Sequence, residues 1–221
     1  MDKYKISFIL NIIIVIMVIG ASIMMFTGFR FMPGKIILES NKLGMFKFFT
    51  VDSNLFMGII SLIFAIFEIR LLKGSINEIP KYMYILKLMA TTSVTLTFIV
   101  VFAYLGPLVG NIYLMILNSN LFFHLLVPVF SMITFIFCER NNKMSFKYSF
   151  YGLIPVIMYG LYYLINVLIH MDNGIVLPEY DFYYFVQNGI WTAIVVVPVM
   201  FIISYTISLI LWGFNRIKSN N

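Results

Sequence analysis

Two short stretches carry residue types able to do chemistry in an otherwise apolar chain. The first is FFTVDSNL, residues 48–55, in which Thr50, Ser53 and Asn54 fall three and four positions apart. In a helix that spacing places them on one face, and Ser61 and Glu68 continue the face at heptad intervals from Asn54. The second is NSNLFFHLLVPVFS, residues 118–131, where Asn120, His124 and Ser131 share a face at spacings of four and seven. Pro128 follows His124 by four positions, so the helical hydrogen bond to the His124 carbonyl cannot form, and a kink or open backbone is expected. A hydroxyl and an imidazole can act as nucleophile and base, with free N–H groups at a helix start holding the oxyanion. Each motif also has a plain structural reading. Thr50, Asp52 or Ser53 can serve only as a helix N-cap, and a buried histidine can simply bond a neighbouring helix.

The elements that must position these residues follow from composition. Of 221 residues, 62% are hydrophobic and 11% charged, with a mean hydropathy of +0.98. Soluble domains have roughly 45–50% apolar and about 25% charged residues. The chain is therefore expected to be all-α, a polytopic integral membrane protein with almost no aqueous domain. A bilayer core roughly 30 Å thick takes about 20 apolar helical residues to cross. Six stretches qualify, near 6–29, 49–69, 82–105, 121–137, 150–169 and 188–214, as one domain over 1–221. The first is too long for a signal-peptide core and lacks a cleavage site after it, so it reads as a span. No period-two alternation suggests a barrel, and no motif is shared between the halves 1–110 and 111–221.

Lys and Arg distribution predicts the orientation. With the N-terminus cytoplasmic, one side holds ten: Lys3, Lys5, Arg70, Lys73, Lys81, Arg140, Lys143, Lys147, Arg216 and Lys218. The other holds four: Arg30, Lys35, Lys42 and Lys47. Both termini are thus expected inside, and Lys87 is expected to snorkel to the cytoplasmic surface. Thr50 and His124 then both lie near the outer leaflet. The net charge of +6 is accounted for by this topology and implies no nucleic-acid partner.

Other positions are less specific. In ATTSVTLT, residues 90–97, the hydroxyls read as helix-packing groups that bond carbonyls four residues back. His170 and Asp172 end the fifth span, and His170 is a possible accessory to a site there. The segment VLPEYDFYYFVQN, residues 176–188, reads as an interfacial aromatic belt or as a cover over a cavity. A single cysteine, Cys138, excludes a disulfide framework and a thiolate zinc site. Nucleotide-binding loops, zincin helices and the serine-hydrolase elbow are missing from the sequence, so no metal and no organic cofactor is expected.

FFTVDSNL, the H-L-L-V-P of the fourth span, LPEYDFYYF and the six-span layout together resemble the family of androgen-induced protein 1 and the androgen-dependent TFPI-regulating protein, with its bacterial membrane relatives. The TVDSN context is closer to the bacterial branch. The resemblance implies an intramembrane threonine hydrolase acting on fatty acid esters of hydroxy fatty acids, with the threonine at Thr50 and the histidine at His124. The expected protein is thus a lipid-ester hydrolase of a bacterial plasma membrane, sited towards the outer leaflet. Its partners would be a fatty-acyl ester substrate and membrane lipids, with Asn54, Ser53 and Asn120 binding oxyanion or substrate and Asp52 accessory. Acyl transfer by the same pair and a small transporter with a polar path between helices are the alternatives.

Overall fold

The computed structural model describes residues 3–34, 42–141, 144–173, 175–177, 179–183, 185, 186 and 190–216. Among them six helices are long and apolar enough to cross a membrane: α1 (Lys3–Thr27), α2 (Phe49–Leu72), α3 (Lys81–Val109), α4 (Leu121–Cys138), α5 (Phe146–Ile169) and α6 (Ile190–Arg216). The protein is an all-α integral membrane protein, its only described strands being a two-residue hairpin, β1 (Met171–Asp172) with β2 (Ile175–Val176), after α5. The expected spans hold to within a few residues. Lys35, Lys143, Lys218 and the expected start of the last span at Asn188 lie outside the described residues.

Helix α3 is the most buried span and packs against α2, α4, α5 and α6, while α1 packs against α2 and α4. Three helices are not α-helical throughout. Wide five-back turns occur at Val101–Leu105 of α3, ahead of Pro107, and at Leu121–Leu126, ahead of Pro128, and Thr134–Cys138 of α4. Helix α5 opens instead as a tight 3₁₀ segment, Phe146–Leu153, ahead of Pro155. Close approach of α1 to α2 depends on Gly58, where an added Cβ would sit 2.9 Å from Val18. The loops after α1 and α3 are joined by Asn118, whose backbone is left-handed (φ 53°). Its side-chain oxygen accepts the Phe31 and Met32 N–H groups at 2.7 and 2.8 Å, and its amide donates to the Met32 carbonyl at 3.1 Å.

A buried charge cluster ties four spans together near the end where α1 begins and α6 finishes. Lys87 of α3 is fully buried rather than snorkelling. Its ammonium lies 3.2 Å from Glu139 Oε1, just past α4, and donates to Asn11 Oδ1 of α1 at 2.6 Å and Ser61 Oγ of α2 at 3.0 Å. The Asn11 amide in turn donates to Glu139 Oε1 at 2.8 Å and to Glu68 Oε2 at 3.2 Å. The cation can stay because a carboxylate and two neutral acceptors replace its water, a substitution the sequence spacing did not announce. Lys87→Met leaves the Glu139 carboxylate buried without its cation. It is expected to cost about 3–5 kcal/mol, read as lowered thermal stability of the purified protein.

Candidate functional site

The first turn of α2 begins at Phe49 with no side-chain cap of its own. Its amides are nevertheless in use. The Phe49 N–H donates to the Tyr183 hydroxyl at 2.8 Å, and the Val51 and Asp52 N–H groups go to the Phe48 carbonyl at 3.0 and 3.3 Å. Thr50 and Tyr183 line the same cavity beside the Phe49–Tyr183 bond. Of the helix-start amides expected to be free for an oxyanion, that of Phe49 is thus held by a phenol from the loop before α6, and those of Val51 and Asp52 by the Phe48 carbonyl. Burial pushes the Tyr183 phenol up to about 12, so it remains a neutral O–H group in the physiological range.

His124 is almost fully buried on α4, in the wide turn Leu121–Leu126. Its Nδ1 lies 2.5 Å from the Met115 carbonyl. A carbonyl only accepts, so in the neutral ring Nδ1 carries the proton and Nε2 keeps the lone pair of a base. Pro128 acts here, but one carbonyl earlier than an α-helix predicts. The Val127 N–H reaches back five residues to Phe122, and in that register the donor for the Phe123 carbonyl would be Pro128, which has no N–H. Asn54 of α2 fills the gap: its amide donates to the Phe123 carbonyl at 3.1 Å and to the Thr50 carbonyl at 2.7 Å. Thr50 and His124 therefore sit on adjacent helices coupled through one asparagine, with no hydrogen bond between their side chains. Both amide protons of Asn54 are committed, while its Oδ1 is buried without a partner.

Two cavities adjoin this point. One, of about 80 Å³, lies between the first turn of α2 and helices α3, α5 and α6. Thr50 and Thr97 are the aliphatic hydroxyls in its otherwise apolar and aromatic wall, which includes Val100, Val156, Gly160 and Phe201. The other is a broader cleft of about 820 Å³ between α2 and α5, lined by Lys47, Asp52, Ser53, Met158 and Tyr162. Phe49 and Tyr159 belong to both walls, their ring centroids 5.1 Å apart, and the Tyr159 hydroxyl donates to the Lys47 carbonyl at 2.5 Å.

The segment before α6 covers the first cavity rather than forming an exposed belt. Phe182, Tyr183 and Val186 are buried, packed against Phe48, Tyr163 and Phe185. Asp181 folds it, accepting the Phe185 and Val186 N–H groups at 2.9 and 3.1 Å and the Tyr163 hydroxyl. Pro178, Tyr184, Gln187 and Asn188 lie outside the described residues.

The remaining candidate residues divide by place. Ser53 bonds the Thr50 carbonyl at 3.1 Å and the Thr97 hydroxyl at 3.2 Å, joining α2 to α3 beside Thr50. Asn120 is buried at the start of α4, and Asp52 is half-buried in the cleft. His170 is exposed at the end of α5, stacked on Tyr180 at 3.6 Å and bonded to the Asn166 carbonyl, and lines neither cavity. Tyr183 and Tyr159 carry no distinguishing mark in the sequence, where they are two of 14 tyrosines. The only signal is the aromatic density of the segment before α6. No cluster of three or more His, Cys, Asp or Glu suited to a metal occurs among the described residues.

The fold and site thus define a six-span membrane bundle with a hydroxyl at the mouth of an apolar cavity and an imidazole one helix away. No protein-family model, curated protein or solved structure matches the chain. Asp181→Ala removes a charged acceptor from two amides and a phenol at once. It should destabilise the protein by about 1.5–3 kcal/mol and expose the covering segment to protease, whereas Tyr163→Phe should do so by about 1 kcal/mol.

Proposed function

We propose that the protein is an intramembrane hydrolase of lipid esters, with Thr50 as nucleophile and His124 as base. The observation that supports this most directly is the position of Thr50: its hydroxyl opens on an apolar cavity while its helix is tied through Asn54 to the turn that carries His124. Such walls, in this reading, part further to admit an acyl chain and leave the ester carbonyl at the polar end. In this reading Thr50 Oγ1 attacks the carbonyl carbon as its proton passes to His124 Nε2, and Tyr183 donates its hydroxyl proton as a hydrogen bond to the oxyanion. His124 then protonates the departing alcohol, leaving an acyl ester on Thr50. Water, deprotonated by His124, cleaves that ester to release the fatty acid and restore the threonine. Attack needs Thr50 and His124 within hydrogen-bond reach, so the reading includes a tightening of α2 against α4 when the chain is bound.

The placing of the cavities supports a lipid substrate in this reading. The cleft between α2 and α5 is bordered by outward apolar residues such as Met158 and Leu43, the surface a bilayer covers, and a lipid ester would pass from it between Phe49 and Tyr159. The charge distribution supports both termini in the cytoplasm and the site towards the outer leaflet, and the resemblance of the TVDSN context to the bacterial branch supports a bacterial membrane. The transporter reading draws on one specific observation: buried polar residues continue from Asn54 through Ser61 to Glu68. A transporter predicts solute flux that survives Thr50→Ala.

The deciding measurement is covalent labelling by a fluorophosphonate probe together with hydrolysis of a fatty-acyl ester in nanodiscs. Thr50→Ala and His124→Ala should each abolish both signals, and Tyr183→Phe should lower turnover by about 10²–10³. Equal labelling of wild type and Thr50→Ala would sink the hydrolase. Gly160 lines the acyl cavity, and a Cβ there would meet Phe201 only at 3.8 Å. Gly160→Leu should accordingly fold and shift preference to shorter chains, measured by kcat/KM across a chain-length series.

A further inference from the structure

Helices α2, α3 and α4 each present a polar row to the bundle axis. On α2 it is Asn54, Ser61 and Glu68, on α3 Lys87, Thr91 and Thr95, and on α4 His124 and Ser131, with Glu139 just beyond; all are 6% exposed or less. Among these, Asn54 Oδ1, Thr91 Oγ1, Thr95 Oγ1, Ser131 Oγ, Glu68 Oε1 and Glu139 Oε2 are buried without a hydrogen-bond partner. Thr92, also unpartnered, is not counted because its hydroxyl faces α5, within 3.0 Å of where a Cβ on Gly152 would lie. From Asn54 to Glu68 the row follows the rise of α2, a path of about 20 Å.

Hydroxyls in membrane helices usually bond the carbonyl four residues back. Neighbours on these same helices do so: Ser93 to Met89 at 2.9 Å and Thr134 to Phe130 at 2.7 Å. Thr91, Thr95 and Ser131 do not, and Thr91 and Thr95 follow Lys87 along α3 at four-residue steps. Each buried polar group left alone costs about 1–3 kcal/mol, and bound water is the common way that cost is met.

We infer that α2, α3 and α4 enclose a file of bound water running from the Lys87–Glu139–Glu68 cluster to Asn54, beside Thr50 and His124. Its role rests on the hydrolase reading: hydrolysis consumes one water per ester, and the apolar cavity that would hold the acyl chain offers water no partners. The file supplies the water that attacks the acyl–Thr50 ester: its oxygen bonds the acyl carbon as its proton goes to His124, the bond from that carbon to Thr50 Oγ1 breaks, His124 returns the proton to Oγ1, and the fatty acid leaves. Asn54 Oδ1 is the last acceptor on that path.

Hydroxyl-radical footprinting of the protein in nanodiscs tests the file independently of catalysis, because radicals form at bound water. Met57 is fully buried, its sulfur 3.4 Å from Ser61 Oγ, whereas Met158 faces outward. Prompt oxidation of Met57 is expected, falling several-fold in Thr91→Val/Thr95→Val/Ser131→Ala while Met158 oxidation is unchanged. The same variant should accumulate the acyl-enzyme. Thr95→Val alone serves if the triple variant does not fold, and it should lower Tm, since a water loses a partner. Unlabelled Met57 in the wild type, or a Tm raised by Thr95→Val, overturns the file. Labelled Met57 in a protein that turns over no ester removes the hydrolase and leaves the file standing.

Discussion

The bundle depends on one buried ion pair. Lys87 and Glu139 lie 3.2 Å apart with no exposure of either side chain, and taking two charges out of water costs several kcal/mol each before their attraction offsets it. Such a pair is a weak source of stability but a demanding one of register, because any slip of α3 along α4 strands both charges. Asn11 extends the constraint by giving its oxygen to Lys87 and its amide to both carboxylates, so α1 and α2 are held to the same point. In hydrocarbon, where helices gain nothing from hiding apolar surface, this polar contact is what distinguishes one arrangement of six greasy helices from many others.

The molecule has two kinds of interior. A row of buried polar residues follows α2, α3 and α4, while the cavity between α3, α5 and α6 has apolar and aromatic walls. Thr50 stands where the two meet, at the first turn of α2, with Tyr183 closing it from the loop and Asn54 linking it to α4. A hydrolytic reaction on a lipid needs both surroundings side by side, an apolar wall for the chain and polar groups for the charge that develops.

Much of the fold was legible because its signal is composition: uncharged runs of span length can be counted, and the six helices follow. The heptad row Asn54–Ser61–Glu68 was legible for the same reason, as a departure from a uniform background. The fate of Lys87 was not, since snorkelling and burial differ only in whether Glu139 and Asn11, far away in sequence, come to meet it. Nor was the role of Tyr183, because capping a helix from another loop leaves no local pattern. Pro128 announced an interrupted helix, yet only the wide turn decides that the orphaned carbonyl belongs to Phe123 rather than His124. Thr50 and His124 illustrate the limit: sequence placed them at one depth, while the bonds around them come from Asn54, which joins the Thr50 carbonyl to α4, and from Met115, which holds the imidazole.

The two wide turns of α4 carry a further meaning. A five-back turn takes up one residue more than an α turn, and each residue of helix rotates the following side chains by about 100°. His124 sits in one such turn and Glu139 follows the other, so the angular relation between the imidazole and the buried carboxylate is fixed by single-residue steps in chain length rather than by side-chain identity. Loss of one residue within Leu121–Leu126 would shorten that wide turn to a regular one and rotate His124 relative to Glu139 by about 100°. The spacing of this span is therefore as informative about where the imidazole lies as its residues are.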